Sequence, residues 1–283
     1  MDQIAQKYPN PDAFLFGGDY SITGNNVADT ETGLNQLNAL VSSKFSNLAP
    51  EDRYYIQGNH DYHGNALIKE TGAYETEHYL IYVLNHKDYS AVGAAKLKHF
   101  FEQNKDCDKP IFVLSHCGIH YNARGHLNCS DTLYNVLDDA GESGLNIIVL
   151  FGHNHSGIFD DYLGNSAIYL PKGSNFAISN PGGGYTMDTA DFTYVNYGYI
   201  GFTTSSSKSC YHQTMTVFEI TDDEVIVYRY DQNGIHELRA AGHRTYNDDP
   251  DAYDRIESGA VIPIRSVATV VQADVPEQKS TPS

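Results

Sequence analysis

Short apolar runs alternate with helix-like segments over the first half of the chain. The apolar runs have the length of strands and cover residues 13–16, 54–56, 79–84, 111–114 and 147–151. Between them, residues 30–45, 91–101 and 131–137 carry apolar side chains at helical spacing, the first behind a candidate cap at Asp29. Strands that alternate with helices predict an α/β fold, in which helices cover a sheet.

The second half has a different pattern, of short β-prone runs separated by Gly, Asn and Asp. These runs cover residues 158–159, 167–170, 197–202, 215–220 and 225–230, and residues 221–223 have the composition of a hairpin turn. We therefore predict a mostly antiparallel sheet that packs on the first half. Residues 181–191 begin with Pro181 and three glycines and are predicted to form a surface loop.

The C-terminal part of the chain is polar from about residue 248 onward, apart from one apolar patch at residues 261–264. Residues 275–280 have the composition of a disordered tail. We predict one domain over residues 1–247, followed by a partly disordered extension over residues 248–283.

The chain is strongly acidic. Its 283 residues contain 18 Lys and Arg against 36 Asp and Glu, which gives a net charge of −18. Because binding of double-stranded nucleic acid rests mainly on contacts between Lys or Arg and phosphate, this charge argues against such a partner. A small anionic substrate stays compatible with it, since bound divalent cations reverse the local field.

Membrane and export signals are absent from the sequence as written. It has no apolar run of about 18 residues, and the start at Met1 lacks the basic and apolar parts of a secretory signal. A cytoplasmic protein is therefore expected, or an exported one if an N-terminal segment is missing.

The four cysteines form no CxxC pattern, so free buried thiols are the first expectation and two disulfides the alternative. Oligomeric state has no signal.

Polar residues of metal-ligand type follow the predicted strands. Asp19, Asn59, His116, His153 and His155 all come shortly after an apolar run. The carboxyl ends of strands are where open α/β sheets place their ligands. Oxygen and imidazole donors suit Mn, Fe or Zn better than a thiolate site would. The pattern therefore predicts a metal centre.

Two cations about 3.5–4 Å apart need a shared carboxylate between them. Asp19 is suited to that position because its two oxygens can bind different ions. Asn59 offers a neutral amide oxygen, and His116 an imidazole nitrogen. His153 and His155 point the same way in an extended segment, so each can serve one metal.

The motifs resemble the calcineurin-like metallophosphoesterases, whose blocks are D-x-H, G-D, G-N-H-[D/E], H and G-H-x-H. Four of the five blocks occur here in order, over residues 18–155. The resemblance implies a four-layer α/β-β/α sandwich of two mixed sheets flanked by helices. It also implies two divalent metal ions, with a metal-bound hydroxide attacking phosphorus in line.

The resemblance also implies roles for individual residues. Asp19 bridges the metals, the set Asn59, His116 and His153 completes one site, and His155 contributes to the other. His60 stabilises the transition state or protonates the leaving group, and Asp61 orients His60.

The sequence departs from the family at its first block. Only eighteen residues precede Asp19, none of them His, so the chain is expected to begin after the first strand of the fold. One metal would keep only Asp19 and His155 as ligands. A late gene start or a fragment, a one-metal enzyme, and a member that binds without cleaving are the three explanations. Loss of a central strand would also expose backbone donors and acceptors beside the sheet.

The leading hypothesis is a metal-dependent phosphoesterase that hydrolyses phosphomonoester or phosphodiester bonds in a small substrate. The alternative is a non-catalytic metal-binding or interaction module of the same fold. Loops at residues 62–77, 118–130 and 181–197 would set the substrate. Within the second of these loops, His120 and Arg124 either line the substrate pocket or face solvent.

Overall fold

The computed structural model describes residues 1–20, 26–62, 64–121, 130–153, 169–199, 214–231, 234–236 and 260–264. Predicted features at residues 158–159 and in the tail at residues 275–280 lie outside these ranges. The helices of the described part are α1 (Asp2–Lys7), α2 (Val27–Lys44), α3 (Ala91–Gln103) and α4 (Ser130–Glu142). Short 3₁₀ turns occur at Pro50–Asp52 and His86–Asp88.

Helix α2 begins earlier than its apolar spacing predicts. Asn26, not Asp29, is the cap residue, and its side-chain oxygen accepts the Asp29 N–H at 2.9 Å. An N-cap side chain satisfies one of the backbone donors that a helix leaves open at its start. The buried face of α2 carries Leu34, Leu37 and Val41, as the helical spacing predicts.

A six-stranded mixed sheet forms the centre of the fold. Its strands are β3 (Gly72–Glu75), β4 (Leu80–Leu84), β5 (Pro110–Ser115), β6 (Asn146–Phe151), β7 (Tyr169–Leu170) and β10 (Thr193–Asn196). Their order across the sheet is β3-β4-β5-β6-β10-β7. Strands β4, β5, β6 and β10 are parallel, and β3 and β7 are antiparallel edges. The parallel strands are buried on both faces, which is why they read as continuous apolar runs.

A second sheet is antiparallel and lies in the C-terminal half. It contains β11 (Gly198–Tyr199), β12 (Thr214–Ile220), β13 (Glu224–Asp231), β14 (Gly234–His236) and β15 (Ala260–Pro263). The predicted hairpin at residues 221–223 is confirmed, since Ile220 pairs with Val225 across it. The predicted apolar patch forms β15, which pairs with β13 on the edge away from β12. The division of the chain at residue 247 stays a prediction.

Two further strand pairs complete the described structure. Strands β1 (Phe14–Phe16) and β2 (Arg53–Tyr55) are parallel neighbours. Strands β8 (Asn175–Ser179) and β9 (Tyr185–Thr189) form an antiparallel hairpin. The prediction of a surface loop at residues 181–191 is therefore wrong over β9. All five β9 residues are exposed, and the three glycines just before the strand are what favoured the loop prediction.

Three layers of apolar contacts hold four layers of structure together. Helices α3 and α4 pack on one face of the six-stranded sheet. Its other face, with Ile81, Phe112 and Leu150, packs against Val225 and Val227 of the antiparallel sheet. Helices α1 and α2 cover β1, β2 and the outer face of the antiparallel sheet. The predicted α/β sandwich with helices on both outer sides is confirmed.

Strand β10 corrects one detail of the predicted organisation. It comes late in the chain, yet it inserts into the first sheet beside β6, with Val195 opposite Leu150. The second half of the chain therefore contributes to both sheets.

None of the helices in the described part of the chain is long and apolar enough to cross a membrane. Cys107 and Cys117 carry free thiols, and of the two only Cys117 is buried. Cys129 and Cys210 lie outside the described residues.

Candidate metal centre

The candidate site lies where the parallel strands end. Asp19 follows β1, Asn59 follows β2, His116 directly follows β5, and His153 comes two residues after β6. Because β1 and β2 are parallel to each other, as are β5 and β6, these residues reach one edge of the sandwich. The four side chains meet there, around the His116 ring.

The contact between His116 and Gly17 decides which nitrogen of the His116 ring carries a hydrogen. Its Nδ1 lies 2.6 Å from the carbonyl oxygen of Gly17, which can only accept a hydrogen bond, so Nδ1 carries the hydrogen. In a neutral ring Nε2 is then an acceptor. That nitrogen lies 2.9 Å from Asn59 Oδ1, 3.0 Å from His153 Nδ1 and 3.4 Å from Asp19 Oδ2.

Several electron-pair donors therefore converge on one point. A proton on Nε2 would satisfy one neighbour well, whereas a cation between the four groups would satisfy all of them. Ligand atoms about 2.0–2.2 Å from a cation are themselves roughly 3–3.5 Å apart, which is close to the distances from His116 Nε2 to the other three atoms. The buried Asp19 Oδ2 atom has no hydrogen-bond partner among the described residues. These residues fit a divalent cation.

Backbone strain is concentrated at two of these residues. Asp19 has φ +61° and His153 has φ +64°, and they are the described non-glycine residues in the left-handed region. Such conformations cost free energy and tend to occur at functional sites. Gly18 and Gly58 let the loops touch, because a Cβ on either residue would lie less than 3.0 Å from the other loop.

Asp61 connects the two loops that carry Asp19 and Asn59. Its Oδ2 accepts the backbone N–H groups of Asp19 at 2.7 Å and Gly58 at 2.8 Å, and its Oδ1 accepts that of Tyr20 at 2.8 Å. Among the described residues, no hydrogen bond joins this carboxylate to the His60 ring. The Asp61 side chain therefore acts on the backbone, and the implied role of orienting His60 stays a prediction.

The two carboxyl groups differ in their electrostatics. Burial acts to raise the pKa of Asp19, but the His116 ring, when both of its nitrogens carry hydrogen, and the N–H of His60 lower the pKa to about 2. Asp19 is therefore ionised at neutral pH. For Asp61, burial raises the pKa despite the three backbone N–H groups, so its charge is held at some cost.

Cys117 is a second kind of neighbour. Ligand atoms of His116, Cys117 and His153 all lie within 4.8 Å of one another, so this group also has the spacing of a metal site. Burial, however, raises the pKa of the Cys117 thiol to about 12, and a thiol must lose its proton to bind a metal. We therefore favour the oxygen and nitrogen set around His116 Nε2.

The remaining predicted site residues have mixed outcomes. His155 and Arg124 lie outside the described residues, so the role of His155 stays a prediction. His60 is half-buried, and its backbone N–H donates to Asp19 Oδ1 at 3.0 Å. His120 neither lines a pocket nor faces solvent: it is 1% exposed, and its Nδ1 lies 3.0 Å from the Tyr194 hydroxyl.

Tyr197 is a site residue that the sequence did not reveal. Its hydroxyl donates to the Gly17 carbonyl oxygen at 3.0 Å, the same oxygen that accepts from His116. Its ring fills the space beside Gly17 and Gly152, where a Cβ would collide with it. Tyr197 directly follows the missed strand β10, so the run of aromatic and β-branched residues at 192–195 was the available signal.

Comparison with known families agrees with this geometry. A family model described as calcineurin-like phosphoesterase matches residues 1–157, which is more than half of the chain. The match covers Asp19, Asn59, His116 and His153. The chain belongs to the calcineurin-like phosphoesterase family, whose members are metal-dependent hydrolases of phosphoesters. No curated protein matches the chain significantly.

Proposed function

We propose that this chain hydrolyses a small phosphoester with the help of a divalent cation held by Asp19, Asn59, His116 and His153. The observation that carries the proposal is the convergence of these groups on His116 Nε2. When bound, divalent cations lower the pKa of a coordinated water and neutralise phosphate charge. The oxygen and nitrogen atoms that these four residues offer suit Mn, Fe or Zn.

The protein groups around this centre have separate tasks. Asp19 supplies negative charge, since it is ionised at neutral pH. Its second oxygen accepts the His60 N–H at 3.0 Å, which holds the loop of His60 next to the cluster. In this proposal the His60 imidazole protonates the leaving oxygen or stabilises the transition state. A second cation would share Asp19 and use His155.

The experiment compares hydrolysis of bis-p-nitrophenyl phosphate and p-nitrophenyl phosphate by the full chain with added Mn²⁺. Asp19→Asn removes the charge at nearly constant shape and should lower turnover at least ~100-fold. Asp106→Asn is the matched control, because it makes the same change at an exposed aspartate outside the cluster around His116. It should keep wild-type turnover. The ratio of the two substrates separates a phosphodiesterase from a phosphomonoesterase. Full turnover by Asp19→Asn would refute the site.

The alternative function is a metal-binding module without turnover. Stoichiometric Mn²⁺ binding without hydrolysis of either substrate, in a folded sample, would support this alternative.

A further inference from the structure

Tyr197 lies between the two loops that carry Asp19 and His153. A Cβ on Gly17 or on Gly152 would collide with its hydroxyl oxygen, so only glycine permits this close approach. Gly17 comes two residues before Asp19, and Gly152 comes directly before His153. Tyr197 therefore contacts both loops next to two of the predicted ligands.

The backbone of Tyr197 is fixed on both sides. Its N–H donates to the Phe151 carbonyl oxygen at 2.9 Å, which continues the pairing of β10 with β6. Its carbonyl oxygen accepts the hydroxyl of Thr216, on β12, at 3.0 Å. Both sheets of the sandwich thus hold this residue, and the direction of its side chain is set by the fold.

The Tyr197 hydroxyl shares an acceptor with the His116 ring. It donates to the Gly17 carbonyl oxygen at 3.0 Å, and the same oxygen lies 2.6 Å from His116 Nδ1. A carbonyl oxygen has two lone pairs, so it accepts both hydrogens at once. Burial raises the pKa of Tyr197 well above its usual value, so the hydroxyl keeps its proton at neutral pH and remains a donor.

The Gly17 carbonyl benefits from a second donor because its peptide plane lies between two glycines. Rotation of that plane changes ψ of Gly17 and φ of Gly18, and glycine permits a wide range of both angles. Gly18 has φ +94°, a conformation that L side chains rarely adopt. The hydrogen bonds from Tyr197 and His116 together keep the carbonyl oxygen turned toward the centre.

The orientation of this carbonyl group decides which nitrogen of His116 carries a hydrogen. With the oxygen facing Nδ1, that nitrogen carries the hydrogen, and Nε2 keeps its lone pair for a cation. A rotated peptide plane would present the Gly18 N–H to Nδ1 instead. The hydrogen would then move to Nε2, and the ring could no longer bind a metal through that atom.

We propose that Tyr197 is a positioning residue of the candidate metal centre. By holding the Gly17 carbonyl oxygen, it keeps His116 in the tautomer that can bind a cation through Nε2. This role rests on the proposed metal-dependent function, but the tautomer that Tyr197 controls exists in the metal-free protein as well.

Nuclear magnetic resonance of ¹⁵N-labelled histidine identifies the tautomer of His116 in the metal-free full chain. The couplings of the ring nitrogens separate the Nδ1–H form from the Nε2–H form, and a His116→Gln spectrum assigns the signals. The spectra are recorded at about pH 8, where an ordinary imidazole is neutral. Wild type should show the Nδ1–H form, whereas the fraction of the Nε2–H form should rise at least ~5-fold in Tyr197→Phe.

Mn²⁺ affinity, measured by calorimetry, is the second readout. Tyr197→Phe should bind at least ~5-fold more weakly than wild type, because groups that orient a metal ligand contribute to affinity. Tyr55→Phe is the matched control, since it removes another partly buried hydrogen bond of a tyrosine, to Asn38 Oδ1 at 3.2 Å. It should keep the wild-type tautomer and affinity.

A purely structural Tyr197 would affect stability alone. The wild-type tautomer in Tyr197→Phe would therefore overturn the proposal, as would an equal tautomer shift in Tyr55→Phe. Wild-type Mn²⁺ affinity in Tyr197→Phe would overturn it too. If folded wild type binds no Mn²⁺, the proposed function fails, while the His116 tautomer in the metal-free chain still decides the role of Tyr197.

Discussion

The Asp61 carboxylate offers a quantitative test of how the metal centre is held. It accepts the N–H groups of Asp19, Tyr20 and Gly58, which belong to two different loops. Asp61→Asn keeps the shape but leaves one oxygen. In the best amide orientation two of the three bonds remain, with a neutral acceptor, and one N–H faces the amide NH₂ group.

The magnitude follows from these contacts. An unsatisfied buried N–H costs about 1–3 kcal/mol, and the two remaining bonds weaken because an ionised acceptor is stronger than a neutral one. Relief from burying a charge offsets part of this loss, since burial raises the pKa of Asp61. We expect the free energy of unfolding to fall by about 2 kcal/mol in metal-free Asp61→Asn, with Asp106→Asn unchanged.

Urea unfolding followed by circular dichroism measures this change as a shift of the midpoint by roughly 0.5–1 M. A comparison with His60→Gln separates the two roles of Asp61. If Asp61 only orients the His60 ring, both variants should lose turnover and neither should lose stability. A free energy of unfolding within about 0.5 kcal/mol of wild type in Asp61→Asn would refute the role of Asp61 in joining the two loops.

Three further predictions concern the ligands and the packing of the centre. Asn59→Ala should weaken Mn²⁺ binding at least ~10-fold in calorimetry, while Cys117→Ser should stay within about 3-fold of wild type; the reverse order would favour a thiolate site. Gly58→Ala should weaken Mn²⁺ binding, because the added Cβ would collide with Asp19. Gly182→Ala, where the Cβ meets open space, should bind like wild type. Equal binding by both variants would contradict the close contact between the loops of Asp19 and Gly58. Tyr197→Phe removes one partly buried hydrogen bond and should lower the free energy of unfolding by about 1 kcal/mol, measured in urea. No loss would show that this bond is not stabilising.

The parts of the fold that were predicted have strong local patterns. Strand β6 contains five consecutive apolar residues, 147–151, and parallel strands buried on both faces produce such runs. Strand β9 is the opposite case, since it is short, fully exposed and directly follows three glycines, which favour a loop. Its pairing with β8 is what defines it as a strand, and pairing is not encoded in a local pattern.

The site shows the same division. Asp19, Asn59, His116 and His153 stood out because each follows a strand, and the other three side chains lie within 3.4 Å of His116 Nε2. That they bind a metal stays a prediction. The position of His120 was not predictable, because its partner Tyr194 is 74 residues away and is delivered by the missed strand β10. For the same reason Tyr197 was overlooked. Long-range contacts that depend on an unrecognised strand are beyond the reach of motif reasoning.

The central claim is that the groups around His116 Nε2 hold a divalent cation. The most direct test titrates Mn²⁺ into the metal-free full chain, with free Mn²⁺ measured by electron paramagnetic resonance, beside Asp19→Asn and Asp106→Asn. We expect saturable binding by wild type and Asp106→Asn, and affinity at least ~10-fold weaker in Asp19→Asn. Equal binding by all three proteins, or no binding by folded wild type, would contradict the assignment of this metal centre.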